Sequence, residues 1–277
     1  MKTICQVCMH HCHLEPGQTG LCRARKNISG VISCENYGRI TSLALDPIEK
    51  KPLKMFHPGS LILSVGSYGC NLKCPFCQNH EISMADPDPL DIPYLSPQAL
   101  RDKAKAYQKL GNIGVAFTYN EPLVGWEYIC DTAKLVKEAG MQNVLVTNGT
   151  ASLNVLEEIL PFIDAMNIDL KGFREEYYRK LGGSLAVVKE FILRAAQNCH
   201  VEFTTLIVPG ENDSTLEMEE EAAWIASIHP VSEIPLHVTR FFPQYQMTDR
   251  AATDVGQVYH LAKVARKYLK YVFTGNC

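Results

Sequence analysis

The stretch Gly69-Cys70-Asn71-Leu72-Lys73-Cys74-Pro75-Phe76-Cys77-Gln78-Asn79 carries three cysteines at CxxxCxxC spacing. It follows a strand-like run, Ser60-Leu-Ile-Leu-Ser-Val-Gly66. Three thiolates on one tight loop can hold three corners of a four-iron cluster. An electron shuttle normally supplies a fourth ligand, and leaving it out keeps one metal position open for something else to bind. The alternative is a zinc loop completed by His80, although zinc sites usually combine two close pairs of ligands.

Working outward, the chain from residue 60 alternates strand and helix patterns. Apolar runs at 60–66, 113–118, 143–147, 165–170, 201–208 and 234–239 read as strands. Helix-period segments lie near 97–110, 125–139, 152–160, 185–197, 215–228 and 254–271. Ser96-Pro97 and Asp213-Ser214 mark helix starts. Near-continuous apolar strands joined by helices predict an α/β fold with a parallel sheet covered by helices. Parallel sheets place functional groups at the carboxyl ends of their strands.

Those ends are polar. The second strand runs into Thr118-Tyr119-Asn120-Glu121-Pro122, where Glu121 can accept from a ligand ammonium or serve as a first-turn acid. The third ends in Thr147-Asn148-Gly149-Thr150, either a ligand-approach loop or an ordinary turn. On the fourth, Asp169 and Lys171 are two apart and point to one side. They pair with each other or bind a ligand. The sixth holds His237, a core residue or a wall of the site, followed by Arg240 and Phe241-Phe242-Pro243-Gln244-Tyr245.

Upstream, Cys5, Cys8, Cys12 and Cys22 form a second cysteine group, mixed with His10, His11 and His13. It reads as a structural zinc site, as a second iron–sulfur cluster, or as unmetallated thiols. Residues 31–45 read as a hairpin, Val31–Cys34 with Arg39–Leu45. Pro47, Pro52, Pro58 and Gly59 mark a boundary between a cysteine-rich extension at 1–58 and the α/β unit at 59–277.

The 277 residues carry a net charge of −3, so no broad basic surface points to nucleic acid. No run approaches a membrane span, and the N-terminus lacks the apolar core of an export signal. Eleven cysteines then read as metal ligands and free thiols in a reducing cytoplasm, in an anaerobic or oxygen-poor host.

The cysteine triplet, with Phe76 before its last member, resembles the radical S-adenosylmethionine (SAM) superfamily. With Thr147-Asn148-Gly149, Asp169-Leu170-Lys171 and Val208-Pro209-Gly210 it looks like the glycyl-radical-enzyme activating branch, which includes the pyruvate formate-lyase activating enzymes. The N-terminal cysteines, Pro58-Gly59-Ser60 and Thr118-Tyr119-Asn120-Glu121-Pro122 extend the likeness to the AmmeMemoRadiSam-system radical SAM proteins, over almost the whole chain. That group usually continues with another cysteine-bearing segment where this chain has Gly275-Asn276-Cys277, and Cys277 reads as a free terminal thiol.

The resemblance implies an incomplete (β/α)6 TIM-like barrel behind the small N-terminal extension. It implies a [4Fe–4S] cluster on Cys70, Cys74 and Cys77, whose open iron chelates SAM, and reductive cleavage of SAM to a 5′-deoxyadenosyl radical. Lys171 and His237 join the three cysteines as the catalytic set. Glu121 would bind the SAM amino group, with Tyr119 and Asn120 standing where the family has a glycine pair. Lys171 would contact the SAM carboxylate and Asp169 orient it. Thr147 and Asn148 would line the methionyl side, and Phe76, Gln78 and Asn79 the adenosyl side. A low-potential donor, flavodoxin or ferredoxin, is implied as partner. The hydrogen donor would be a small molecule or, as for the activating enzymes, a glycine of a partner protein. A non-catalytic metal-binding module is the remote alternative.

Overall fold

The computed structural model describes residues 1–277 except 87, 89, 90 and 229–232. Two short ribbons open the chain. β1 (Thr3–Ile4) pairs with β2 (His13–Leu14), and β3 (Arg25–Ile28) with β4 (Val31–Cys34), both antiparallel. β5 (Ser42–Pro47) then runs antiparallel to β6 (Leu61–Gly66). From β6 the strands are parallel: β7 (Asn112–Phe117), β8 (Gln142–Thr147), β9 (Ala165–Asp169), β10 (His200–Ile207), β11 (Leu236–Arg240) and β12 (Val272–Gly275). They form one eight-stranded sheet in the order β12-β11-β10-β9-β8-β7-β6-β5.

After the short α1 (His80–Ser83), helices α2 (Pro97–Ala106), α3 (Trp126–Glu138) and α4 (Leu153–Ile159) separate successive strands. α5 (Glu175–Lys180) and α6 (Leu185–Ala195) precede β10, α7 (Thr215–Ser227) precedes β11, and α8 (Val255–Ala265) precedes β12. The hydroxyls of Ser96, Ser152 and Ser214 accept the amides of Ala99, Val155 and Glu217, which starts α2, α4 and α7 where orphan amides need an acceptor.

Strand side chains alternate between two apolar clusters. Leu63, Val65, Val115, Phe117, Leu145 and Ile168 pack with the helices. Ile62, Ala116, Val144 and Ala165 gather on the other face with Ile48 and Leu53 of the connector before β6. Burial on both faces is why these strands read as continuous apolar runs. The connector covers the amino-end floor of the inner face. The amides of Lys54 and Met55 donate to Glu202 at 2.9 and 2.7 Å, and Asn167 Nδ2 donates to the Pro52 carbonyl at 2.9 Å.

The sheet departs from the sequence expectation at its edges. The hairpin of 31–34 with 39–45 does not form. Val31–Cys34 pairs back with Arg25–Ile28, and Ser42–Pro47 covers the otherwise open edge of β6. The intervening turn is held elsewhere, by Asn36 Nδ2 on the Tyr68 carbonyl at 2.9 Å and the Ser67 hydroxyl on the Arg39 carbonyl at 2.6 Å. The helix expected over 254–271 stops at Ala265. Arg266 then donates to the Val272 carbonyl at 2.9 Å, and the chain returns as β12 beside β11. The sheet therefore has seven parallel strands rather than six, plus the antiparallel β5.

Candidate active site

The cysteine loop leaves β6 at its carboxyl end. Gly66 must be glycine, because a Cβ there would lie 2.8 Å from the Tyr119 ring. The loop is strapped from the next strand end. Asn120 Oδ1 accepts the Ser67 amide at 3.0 Å, and its Nδ2 donates to the Tyr68 and Gly69 carbonyls at 3.1 Å each. Asn79 Nδ2 donates to the Tyr119 carbonyl at 2.7 Å and ties the far end of the loop to the same place. The middle of the loop is buried: Leu72, Cys74 and Phe76 pack with Tyr177, Leu181, Val208 and Phe241.

The Cys70 sulfur accepts the Leu72 amide at 3.4 Å and lies 3.8 Å from Asn148 Nδ2. Burial pushes the Cys70 thiol well up, with the Glu121 carboxylate adding to it, and pushes Cys74 up to about 11 despite Lys171. Beside Cys74 stands the Asp169–Lys171 pair, Nζ to Oδ2 2.8 Å. Burial works against the Lys171 ammonium, but Asp169 and Cys74 outweigh it and raise its pKa. Lys171 is fixed through its backbone: its amide donates to the Tyr178 hydroxyl at 3.0 Å, and its carbonyl accepts Asn212 Nδ2 at 2.9 Å.

Glu121 is buried and joins two strand ends. Oε1 accepts the Thr147 hydroxyl at 2.7 Å and the Leu123 amide at 3.1 Å, and Oε2 accepts the Asn148 amide at 2.7 Å. Burial raises its pKa to about 7 against these three donors. A carboxylate has about four acceptor positions, and these donors take three of them.

The chain matches the radical SAM superfamily over residues 64–222. The chain belongs to the radical SAM superfamily. Among its relatives, an uncharacterized protein of Methanocaldococcus jannaschii is 38% identical over 99% of this chain and 81% of its own. A pyruvate formate-lyase-activating enzyme of Clostridium pasteurianum is 30% identical over 61% of this chain and 71% of its own. Streptococcus suis SuiB, solved with SAM bound, superposes with a TM-score of 0.60 at 14% identity, covering 76% of this chain and 48% of that one. Family membership makes the protein an enzyme and removes the non-catalytic module from consideration.

The chemistry of the donor set fits the radical SAM cluster. An amide N–H and a carboxamide are already aimed at the Cys70 sulfur, the hydrogen bonds that a ligating thiolate accepts and that tune a cluster. An ammonium and a carboxylate stand next to Cys74, as an amino-acid ligand requires.

Several of the side chains expected to line the SAM site point elsewhere. Tyr119, at φ +74°, turns its ring towards the sheet floor, where its hydroxyl donates to Asp46 Oδ2 at 2.9 Å and Lys51 Nζ sits 4.7 Å from the ring centre. Its contribution is the backbone carbonyl that holds Asn79. Asn120 is wholly engaged in strapping the loop. Phe76 faces Phe241 edge-on at 6.4 Å, and the Gln78 carbonyl accepts Gln244 Nε2 at 3.2 Å. His237 does not join the group at all. It lies near the amino end of β11, where Nε2 is 2.6 Å from Glu202 Oε2 and the ring stacks on Phe273. Glu202, held below the ordinary carboxylate range at about 2 against burial by His200, His237 and the amides of Lys54 and Met55, makes this a hydrogen-bonded group on the floor.

Two residues escaped the sequence reading. Asn71 is 5% exposed, and its Nδ2 donates to Thr150 Oγ1 at 2.7 Å while its Oδ1 accepts Asn148 Nδ2 at 3.0 Å. Asn212 links β9 to β10 by accepting the Val208 amide at 2.7 Å and donating to the Lys171 and Leu206 carbonyls. An asparagine directly after a ligand cysteine was the available signal for the first. Nothing in the pattern marks the second.

Proposed function

We propose that the protein is a radical SAM enzyme that holds a [4Fe–4S] cluster on Cys70, Cys74 and Cys77 and cleaves SAM reductively. The observation that carries this reading is the Asp169–Lys171 pair beside Cys74. When bound, the cluster would supply the electron for reductive cleavage of SAM, and the 5′-deoxyadenosyl group so released would take a hydrogen atom from the substrate. Lys171 binds the SAM carboxylate, and Asp169 keeps the ammonium aimed. The remaining position on Glu121 Oε2 accepts from the SAM amino group, while Thr147 and Asn148 fix that carboxylate. Phe76, Gln78 and Asn79 support the adenosyl side through the loop backbone. The apolar packing of Leu72, Phe76 and Phe241 excludes water.

The electron comes from a low-potential donor such as a flavodoxin or ferredoxin. The hydrogen donor is a small molecule. The second reading, a glycine on a partner protein, is favoured by relatives named as activating enzymes, whose likeness covers 61% to 74% of the chain. Such chemistry belongs in a reducing, oxygen-poor cytoplasm, and the eleven free cysteines are consistent with that setting. Among the described residues no helix is long and apolar enough to cross a membrane.

The test is anaerobic. Protein reconstituted with iron and sulfide is reduced with dithionite and given SAM, and 5′-deoxyadenosine is measured by mass spectrometry beside Cys74→Ala. Deoxyadenosine only with the intact triplet supports the reading. SAM left untouched by a protein that holds zinc at the triplet sinks it.

A further inference from the structure

Helix α5 is strapped to the cysteine loop. The Lys73 amide, one residue before Cys74, donates to the Leu181 carbonyl at 2.9 Å, and a Cβ on Gly183 would lie 3.1 Å from Leu72 Cδ2. Tyr177 stands four residues before Leu181, so the two side chains lie one above the other on the helix face that meets the loop. Both are buried in one apolar cluster with Leu72, Cys74 and Phe76, and Cys70 and Cys77 pack against it.

The two adjacent tyrosines of α5 are used differently. The Tyr178 hydroxyl accepts the Lys171 amide at 3.0 Å. The Tyr177 hydroxyl is fully buried, on a residue 3% exposed, and among the described residues it forms no hydrogen bond to any nitrogen, oxygen or sulfur. The ring is held in place from behind, because a Cβ on Gly172 would lie 2.8 Å from Tyr177 Cδ1.

A buried hydroxyl without a partner is costly, and phenylalanine would fill the same space without that cost. Water is a poor remedy here. A buried water needs several polar partners, whereas Leu181, Val208, Phe241 and Met247 complete the surroundings of the ring. Burial raises the pKa of the hydroxyl, with Cys74 adding to it and Lys171 opposing, so the group keeps its proton and serves as a donor. Its packing is with the cysteine loop, while the Lys171 ammonium is engaged with Asp169 at 2.8 Å. The acceptor that suits this donor is a group brought in by the three cysteines.

We propose that the Tyr177 hydroxyl donates a hydrogen bond to a sulfur of the [4Fe–4S] cluster held by Cys70, Cys74 and Cys77, and so raises the potential at which that cluster takes up its electron. This rests on the reading of the Cys70 loop as a cluster site. The added electron makes the cluster sulfurs more negative, a hydrogen bond to them strengthens on reduction, and the reduced form is favoured. Tyr177 tunes the cluster and makes or breaks no bond in the reaction.

Wild type and Tyr177→Phe are reconstituted with iron and sulfide, and iron is counted. The SAM-sensitive EPR signal is then followed at a series of set potentials, and SAM binding to the oxidised proteins is measured. Equal iron and equal SAM affinity are expected, because no ligand is altered. At the potential that half-reduces the wild type, the reduced-to-oxidised ratio in Tyr177→Phe should be about fivefold lower, the worth of one hydrogen bond. Should Tyr177→Phe lose its iron, site-specific 3-fluorotyrosine at position 177 decides the matter. It keeps the ring and makes the hydroxyl a stronger donor, so the ratio should rise above that of wild type, and an unchanged ratio overturns the proposal.

An iron-loaded Tyr177→Phe with the wild-type ratio overturns the proposal whatever its SAM affinity. If its SAM binding is then weakened, the acceptor is the SAM carboxylate; if not, the hydroxyl is structural. Either result leaves the Cys70 reading standing. Wild type that takes up no iron overturns both.

Discussion

Glu121 Oε1 and the Thr147 hydroxyl are 2.7 Å apart, and that contact locks the end of β7 to the end of β8. Removing the carboxylate strands three buried donors, the Thr147 hydroxyl and the amides of Leu123 and Asn148. Glu121→Ala should cost about 3 kcal/mol of stability and release the Cys70 region, seen as lost iron and a lower Tm. Glu121→Gln should lose about 1–3 kcal/mol of it, because its NH2 must face the Leu123 or the Asn148 amide, and should lose SAM affinity. Equal SAM binding by wild type and Glu121→Gln would remove Glu121 from the ligand set.

Lys171→Met keeps the stem and deletes the charge. A charge-assisted bond contributes about 1.5–3 kcal/mol, so SAM binding should weaken roughly 10- to 100-fold with iron content unchanged. Equilibrium binding of SAM to the oxidised, iron-loaded protein reads this directly. An unaltered Kd would leave the ion pair purely structural.

Asn120 is a strap, so its loss should act on the cluster before the ligand. Asn120→Ala frees the Ser67 amide and the Tyr68 and Gly69 carbonyls. Expected are a loss of about 2 kcal/mol and faster release of iron to a chelator, with the remaining iron-loaded fraction binding SAM normally. Weakened binding in that fraction would return Asn120 to the SAM pocket.

His237 lies on the sheet floor, and His237→Ala should behave as a stability variant. It leaves Glu202 buried with one hydrogen-bond partner fewer, at a cost of about 2 kcal/mol, and leaves SAM cleavage per bound cluster unchanged. Glu202 titrates at about 2 in the fold, below its unfolded value, so its stabilisation is present above pH 4.5 and is lost as pH falls towards 2. Cleavage abolished in a protein of undiminished Tm would put His237 back among the catalytic residues.

Glu221 on α7 gives the opposite slope. It accepts the Thr205 hydroxyl at 2.5 Å, and burial, aided by Glu217, raises it to about 8. A raised acid keeps its proton in the fold while the unfolded chain gives one up. Stability therefore falls by up to ~1.4 kcal/mol per pH unit as pH rises from about 4.5 to about 8. Glu221→Gln should flatten that part of the profile in urea unfolding. A profile matching the wild type across this range would show the carboxyl to be ionised in the fold.

Six of the seven parallel strands were legible because burial on both faces leaves an unbroken apolar run, and each of the six fell within a residue or two of its expected place. The cysteine loop and the Asp169–Lys171 pair were legible because their spacing is local. What was not legible depends on partners distant in sequence. β5 is defined by the edge it covers and read as half of a hairpin, and β12 is a four-residue strand just past the helix expected over 254–271, where no element was expected. Tyr119 and Asn120 sit where a motif reading expects ligands. A left-handed φ at Tyr119 sends its ring to Asp46, while Asn120 is drawn to the carbonyls before Cys70. For His237 the deciding neighbour is Glu202, 35 residues away.

The connector at 48–56 bears on traffic. Ile48 and Leu53 are fully buried and two amides are pinned on Glu202, so the connector caps the amino-end floor among the described residues. The end strands β5 and β12 do not pair with each other, so the sheet stays open, and the polar strand ends are the face left for exchange. On the proposed reading, substrate, SAM and spent nucleoside would share that face. A nucleoside that lingered there would block the next arrival, so departures would bear on turnover as well as bond breaking.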